Sequence, residues 1–458
     1  MSRMELHHLA DIRITSEIPA APRTLNPDQM AWGVLLIAFG IFCIVCALLT
    51  VGIHYFLFQS TVNMQVVLTV GRGTAIVTES DLVEQAVRLY REVLNNTNVS
   101  IPSESQSTIL FTDQQQNRRL IAAVTLFSDS TITLLDAQRP RFDWSSGQYN
   151  IDLGSFNGRL DIFVTERLGR DFRMTLRTAG GAQVYVAGSG HYILSANDSQ
   201  VRVINRDGIA ALVSPLQPRD GLSIPANQQG IIYANNTVSL SPAYVNLLQN
   251  SSFSESRQNS RIPTIWECSN TADEPPLGFL NTELVDERLV LRLIRADNAS
   301  SHGQTGCSQG LDPASRGFDV TAYDQLFIRA NFQVNSQSLS VCGIRGSECP
   351  LMLRMDYIDI NGNAQNWFHG FYAYANPSDD YPLSCESCAL THERVNMGMW
   401  YTYVSDNLFT SFRPDQRPAV ILSVQFYASG HQYDVYLSEI ALLAGDFPPV
   451  PTQENDAP

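Results

Sequence analysis

The chain has 458 residues, of which 44% are hydrophobic, so it is long enough to bury the cores of two or three domains. Its formal net charge is −15, and because it contains no lysine, all 30 of its basic residues are arginine. This balance makes nucleic-acid binding unexpected, and the missing lysine excludes catalysis through a lysine Schiff base.

A strongly apolar segment follows residues 1–31, which we expect to form a short cytoplasmic tail. Residues 32–58 carry no formally charged side chain and exceed the roughly 20 residues that cross a bilayer as a helix. Arginines occur before this segment, and the first one after it is Arg72, a bias that predicts a cytoplasmic N-terminus. A cleaved signal peptide is the alternative, but its apolar stretch is usually shorter. The sequence therefore predicts one transmembrane helix in the cell membrane, with all later residues outside the cytoplasm.

Cysteine placement agrees with an exported chain. Two cysteines lie in the apolar segment, and the other six lie in the last 200 residues: Cys268, Cys307, Cys342, Cys349, Cys385 and Cys388. An even number of cysteines in an oxidising compartment predicts up to three disulfides, although six cysteines allow 15 pairings. The Cys-x-x-Cys spacing at 385–388 also occurs in redox sites, and four of these cysteines could form a zinc site. Structural disulfides are the favoured interpretation, with no metal or cofactor.

Residues 59–240 are predicted to form a β domain that contains one helix. The helix is expected near residues 80–94, where Leu82, Ala86, Leu89 and Val93 have helical spacing behind Ser80 as a possible N-cap. From residue 107 onward, short apolar runs alternate with Gly, Asp and Asn turns, as in stacked antiparallel strands.

Residues from about 109 to 233 resemble the FecR family of extracytoplasmic signalling domains. The resemblance runs through FSDSTITLLDAQRPRF (127–142), FNGRLDIFV (156–164) and FRMTLRTAGGAQVYVAGSGHYIL (172–194), and it ends in GLSIPANQQGIIY (221–233). It implies a bacterial protein with an antiparallel β domain outside the cytoplasm. The glycines of this segment, such as Gly188 and Gly190, then serve turn geometry, because glycine adopts positive φ at little steric cost.

Residues 241–447 are predicted to form a second β domain, and residues 448–458 a flexible tail. The domain begins with Asn250, Phe253, Glu255 and Trp266, which resemble the opening motif of galactose-binding-like and carbohydrate-binding jelly rolls. Its strand number and length fit a disulfide-braced, jelly-roll-like β-sandwich. An Asn-Gly pair within DINGNA (359–364) predicts a hairpin. The predicted fold class is therefore mainly β: an N-terminal transmembrane helix, a FecR-like antiparallel domain and a jelly-roll-like sandwich.

Aromatic residues of the second domain are the candidates for ligand binding. Trp367, His369, Trp400 and Tyr401 lie in two aromatic-rich segments and could stack on sugar rings. Strand alternation turns about half of such residues inward, so core packing is the alternative.

No catalytic residue is predicted. The sequence from Gly306 to Gly310 matches the Gly-x-Ser-x-Gly pattern of hydrolases, but it lacks the strand-then-helix context that a nucleophile elbow needs. We therefore expect a non-enzymatic bacterial membrane protein: a sensor, receptor or scaffold that binds a partner protein or an envelope ligand. A polysaccharide-binding or adhesion protein without signalling is the alternative. A glycan-active enzyme is a third possibility, because the two carboxylates of a glycosidase follow no local motif.

Overall fold

The computed structural model describes residues 27–79, 83–113, 119–166, 168–216, 221–257, 260–296, 298–312, 316–388 and 390–446. They belong to two units: the N-terminal segment, and a compact unit that begins at Thr61. Most of the predicted cytoplasmic tail and the whole of the predicted C-terminal tail lie outside the described residues.

The N-terminal unit contains a single long helix among its described residues, α1 (Pro27–Phe58). At 1.5 Å per residue its 32 residues extend about 48 Å, more than the roughly 30 Å hydrocarbon core of a bilayer. Its large apolar side chains are exposed along the whole helix, including Leu36, Phe42 and Leu49. The helix is long and apolar enough to cross a membrane, a property that a secretion signal near an N-terminus shares.

The first β region spans Thr61–Pro242 and forms one extended sheet around its own apolar core. Its strands are β1 (Thr61–Asn63), β2 (Gln65–Arg72), β3 (Ala75–Thr78), β4 (Glu84–Val87), β5 (Tyr90–Glu92), β6 (Thr97–Ile101), β7 (Gln106–Asp113), β8 (Arg119–Leu126), β9 (Ser130–Pro140), β10 (Tyr149–Val164), β11 (Phe172–Thr178), β12 (Gln183–Ala196), β13 (Gln200–Val213), β14 (Leu222–Ile224), β15 (Gln228–Tyr233) and β16 (Val238–Pro242). Neighbours along the sheet follow the order β16-β15-β13-β12-β11-β10-β8-β7-β2-β5, and β9 also pairs with β10.

Two details of the first β region differ from the sequence prediction. The helix predicted near residues 80–94 is wrong: where this segment is described, β4 pairs with β3 and β5 pairs with β2. The helical spacing of the apolar residues was misleading, because Leu89 and Tyr90 are exposed and, among the residues described in this segment, only Val87 and Val93 reach the core. The sheet is also not wholly antiparallel, because β11 runs parallel to the first half of β10.

The second β region spans Val245–Gly445 and is a sandwich of two sheets. Its elements are β17 (Val245–Asn246), β18 (Glu267–Ala272), β19 (Phe279–Val285), β20 (Arg288–Arg295), β21 (Gly303–Gly310), β22 (Phe318–Asp319), β23 (Gln325–Gln337), β24 (Leu351–Asp359), β25 (Ala364–Tyr372), β26 (Glu393–Arg394), β27 (Trp400–Val404), α2 (Leu408–Ser411), β28 (Pro418–Gly430) and β29 (Tyr433–Gly445). One sheet has the order β19-β20-β29-β23-β27 and the other β18-β21-β28-β24-β25-β26. Alternate side chains of both sheets fill the core between them.

The opening motif of this sandwich is a packed corner. Phe253 and Trp266 are both fully buried, with ring centroids 5.8 Å apart. The indole Nε1 of Trp266 donates to the carbonyl of Asn250 at 3.0 Å, and the backbone N of Glu255 donates to Oδ1 of Asn250 at 3.1 Å. The motif therefore fixes the chain as it enters the core.

The three predicted disulfides are confirmed, with the pairs Cys268–Cys307, Cys342–Cys349 and Cys385–Cys388. The first joins register partners on β18 and β21, so Cys307 lies within a strand and the Gly-x-Ser-x-Gly match forms no nucleophile elbow. The Asn-Gly hairpin also forms between β24 and β25, where Asp359 accepts hydrogen bonds from the backbone of Asn361 and Asn363.

Candidate functional site

The four aromatic candidates from the sequence lie on β25 and β27, and most of their side chains are buried. Trp367 and His369 are each 2% exposed, and Tyr401 is 6% exposed. Strand alternation turns these three towards the core and Trp400 the other way, where its ring lies 4.9 Å from the Arg288 guanidinium. These residues form no exposed aromatic platform in this structure.

His369 and Tyr401 instead belong to a polar cluster at the contact between the two β regions. The imidazole of His369 stacks on Tyr403 at 4.8 Å, and its Nε2 lies 3.2 Å from Glu393. The same carboxylate accepts a hydrogen bond from the Tyr401 hydroxyl at 2.7 Å and pairs with Arg72 of β2 at 2.5 Å. Burial raises the pKa of Glu393, but the hydrogen bond from His369 and the charge of Arg72 outweigh it, and the net pKa lies below its usual range.

A second set of charged residues joins the two β regions, and we call it the interface ion network. Arg329 of β23 is 3% exposed and pairs with Asp161 of β10 at 2.5 Å and with Glu439 of β29 at 2.9 Å. His191 of β12 lies 2.6 Å from Asp161, and Arg206 of β13 lies 2.5 Å from Glu439. Burial raises the pKa of both carboxyl groups, but the neighbouring charges outweigh it and hold both pKa values well below the usual range.

A wide groove lies in the first β region. It has a volume of about 630 Å³ and is formed by residues that follow β10 and by the facing parts of β11 and β12. Two aromatic residues line it, Phe172 and Tyr185. The polar residues of the lining are Gln148, Glu166, Arg170, Asp171, Arg173 and Ser189. The two acids and the two arginines offset each other's formal charge, so the lining is polar without net charge.

A bulge in β12 shapes one wall of this groove. Gly188 lines the groove at φ +72°, and Gly190 has φ +152°, between the two stretches in which β12 pairs regularly with β13. A Cβ at Gly190 would lie 2.0 Å from the carbonyl oxygen of Asp207, so only glycine fits. The glycine cluster predicted to serve turn geometry therefore sets the outline of the groove.

An aromatic pair, the exposed Trp144 and the half-buried Phe142, lies in the loop between β9 and β10, and Gln148 at the end of this loop lines the groove. Trp144 is 65% exposed and stacks on Phe142 with ring centroids 4.7 Å apart and an interplanar angle of 12°. Arg170 ties this loop to the groove lining, because its Nη2 donates to the carbonyl of Asp143 at 2.8 Å. Its Nη1 is buried and has no hydrogen-bond partner among the described residues.

Tyr185 of β12 and Arg173 of β11 contact each other in the lining of the groove. The Arg173 guanidinium lies 5.5 Å from the centre of the Tyr185 ring, and the Tyr185 hydroxyl donates to Gln183 at 2.6 Å. Both side chains reach solvent. The groove thus presents aromatic faces and charged hydrogen-bonding groups together, the combination that binds sugar rings and their hydroxyls.

Sequence reasoning missed this groove and Trp144. The available signal was a tryptophan within a polar, glycine-containing turn, DWSSG (143–147), where an aromatic side chain has no strand partner to bury it. Only the fold brings that loop beside residues 166–173 and β12.

One group of potential metal ligands occurs in the described part of the chain: Cys342, Cys349 and His392. A disulfide joins the two cysteines, so neither offers a thiolate. Nε2 of His392 lies 2.6 Å from the carbonyl of Gly346, and burial lowers the pKa of this imidazole. These residues form a buried structural cluster.

No family model and no curated protein matches the chain. Among solved structures, it is similar to the CBM22-1 xylan-binding domain from Paenibacillus barcinonensis Xyn10C, with 13% identity, a TM-score of 0.24, and coverage of 45% of this chain and 99% of that domain. It is also similar to a family 11 carbohydrate-binding module from Clostridium thermocellum, with 13% identity, a TM-score of 0.23, and coverage of 40% and 90%. An exo-beta-agarase aligns at 13% identity and a TM-score of 0.21, over 42% of this chain and 24% of the enzyme.

Proposed function

We propose that this protein binds a neutral polysaccharide in the groove of the first β region and is held at a membrane by α1. The observation that carries the proposal is the exposed Trp144–Phe142 stack beside a groove whose charged lining has no net charge. A pyranose ring has an apolar C–H face that packs on an aromatic ring, and its rim of hydroxyls accepts and donates hydrogen bonds.

Each part of that chemistry has a counterpart in the groove. Tyr185 in the groove lining and Trp144 in the adjoining loop offer ring faces, and Glu166 and Asp171 can accept hydrogen bonds from hydroxyls. Arg170 and Arg173 line the groove and can donate to ring and hydroxyl oxygens. The volume of about 630 Å³ lies within the range of small-ligand sites. An excess of arginines would favour acidic polysaccharides, and the balance observed here favours neutral ones.

The location proposed for the protein follows from the helix and the disulfides. In this proposal the apolar helix α1 is a single anchor with a cytoplasmic N-terminus, and the three disulfides support an oxidising compartment for the β regions. A polysaccharide of the cell envelope or of the surroundings is then the ligand within reach.

A receptor function is the second candidate, favoured by one observation. His191 lies on the strand that forms the groove wall, and it contacts Asp161 of the interface ion network. A ligand in the groove would thus act on a strand that is coupled to the second β region. A receptor requires that sugar binding alter this contact, which an NMR spectrum of the His191 imidazole with and without ligand would detect.

Affinity electrophoresis tests the binding proposal. The full chain, oxidised and in detergent micelles, is run through gels that contain xylan, mixed-linkage β-glucan, polygalacturonate or no polysaccharide. We expect a neutral polysaccharide to retard the wild-type protein. The affinity obtained from the retardation should be at least tenfold weaker for Trp144→Ala and for Arg170→Gln. Tyr90→Ala is the matched control, because Tyr90 is 70% exposed and lies on β5, which does not line the groove.

Equal retardation of wild type and Trp144→Ala would refute the proposed site, and retardation by polygalacturonate alone would refute the neutral ligand. We also propose that the protein is not an enzyme, so incubation with the retarding polysaccharide releases no reducing ends. Release of reducing ends would instead establish a glycan-active enzyme.

A further inference from the structure

A smaller cavity lies between the two β regions, apart from the polysaccharide groove. Its volume is about 160 Å³, roughly the share of five liquid water molecules. Apolar side chains from both regions form much of its wall, among them Ile193 of β12 and Phe327 of β23. Three arginines also line it: Arg159 of β10, Arg202 of β13 and Arg329 of β23.

The charges of these arginines are not balanced. Asp161 and Glu439 neutralise Arg329, and they also pair with His191 and Arg206 respectively. Among the described residues no acid forms a salt bridge with Arg159 or Arg202. Asp161 attracts Arg159 from a longer distance, but it is already paired with Arg329 and His191, so the arginines around the cavity carry an excess of positive charge.

The contacts of these two side chains leave donors unused. The Arg159 guanidinium lies 4.6 Å from the centre of the Phe127 ring. Arg202 donates through Nε to Gln229 at 2.6 Å and lies 5.2 Å from the Tyr244 ring, while its Nη2 is buried without a hydrogen-bond partner among the described residues. Burial and repulsion from Arg329 lower the pKa of Arg159, and the charge of Asp161 only partly offsets them.

Two half-buried guanidinium groups in excess of the nearby carboxylates cost stability, and an anion in the cavity lowers that cost. Because guanidinium pairs best with planar oxyanions and the wall is largely apolar, the matching ligand has a carboxylate on a short hydrocarbon body. The hydroxyl of Ser195 lines the same cavity and can donate to the carboxylate. We propose that this cavity is a binding site for a small organic carboxylate, held by Arg159 and Arg202.

Thermal unfolding of the full chain in detergent tests the proposal with butyrate as the probe. Butyramide, which has the same shape without the charge, and sodium chloride at equal ionic strength serve as ligand controls. A site ligand present at a hundred times its Kd raises the Tm of a unit of this size by roughly 3 °C. We expect butyrate to raise the Tm and butyramide and chloride to leave it unchanged.

Two variants separate binding from a structural role. Arg159→Gln removes an uncompensated charge, so we expect a Tm without ligand that is equal or higher, and no response to butyrate. Ser195→Leu fills the cavity with all charges intact and also abolishes the response. Arg173→Gln, on the polysaccharide groove, keeps the full response.

The proposal is overturned if butyrate and butyramide shift the wild-type Tm equally, or if Arg159→Gln lowers the Tm yet keeps the butyrate shift. If sulfate raises the Tm and butyrate does not, the ligand is not a carboxylate. This proposal does not depend on the proposed function, and one variant tests the two separately. We expect Trp144→Ala to leave the butyrate response intact and to weaken polysaccharide binding.

Discussion

Removing the charge of Arg329 should loosen the contact between the two β regions. Arg329→Met retains most of the buried aliphatic stem, so the change removes mainly the guanidinium. It leaves the carboxylates of Asp161 and Glu439 buried, each with one remaining partner, His191 and Arg206 respectively.

The magnitude follows from the burial of the network. Removing one partner of a buried ion pair costs about 3 to 5 kcal/mol. Here two buried carboxylates each lose one of two partners, so we expect a loss of this order. Unfolding entropy amounts to about 2.1 cal/mol/K per residue, so for the roughly 400 residues from Thr61 onward this loss lowers the Tm by roughly 4 to 6 °C.

Thermal unfolding followed by circular dichroism at pH 7 measures this effect. Arg316→Met is the matched control, since the Arg316 side chain is 83% exposed and its pair with Asp312, at 3.5 Å, lies at the surface. An exposed pair contributes about 0 to 1 kcal/mol, so the control should shift the Tm by no more than roughly 1 °C. If Arg329→Met shifts the Tm no more than the control, the buried network does not hold the two regions together.

Two further predictions concern the loss of stability in acid and the removal of disulfides. Both carboxyl groups of the interface ion network have a lower pKa in the folded protein than in the unfolded chain, so the unfolded chain binds more protons below about pH 4.5 and stability falls as the pH falls. A Tm series from pH 7 to pH 3 should fall more steeply in wild type than in Arg329→Met, and parallel curves would show that other carboxyl groups cause the loss. Replacing Cys268 and Cys307 by Ala, which opens a loop of 39 residues, should cost about 4 kcal/mol in urea unfolding. The same change at Cys385 and Cys388, 3 residues apart, should cost about 2 kcal/mol, and the reverse order would contradict the loop-entropy explanation.

Local patterns predicted the fold class, the disulfides and the hairpin well. The apolar run of α1, the alternation along strands such as β2 and β23, and the Asn-Gly pair before β25 are encoded by neighbouring residues. The helix prediction for residues 80–94 failed. The apolar spacing of this segment fits a helix, but β2 and β3 offer it sheet edges that only the tertiary fold supplies.

The candidate site depended on the fold far more. Aromatic clustering drew attention to Trp367 and His369, but strand alternation turned them into the core. Trp144 was overlooked because a lone tryptophan in a turn carries no pattern. The partners of Arg329 come from β10 and β29, and no local spacing connects them with β23.

Hydroxyl-radical footprinting with mass spectrometry tests polysaccharide binding in the groove most directly. The full chain is oxidised in detergent with and without the neutral polysaccharide that retards it, and oxidation is measured at each aromatic residue. We predict that saturating polysaccharide protects Trp144 and Tyr185 and leaves Tyr90 as reactive as before. If Trp144 and Tyr185 remain fully reactive while the polysaccharide is bound, the ligand lies elsewhere and the groove is not the binding site.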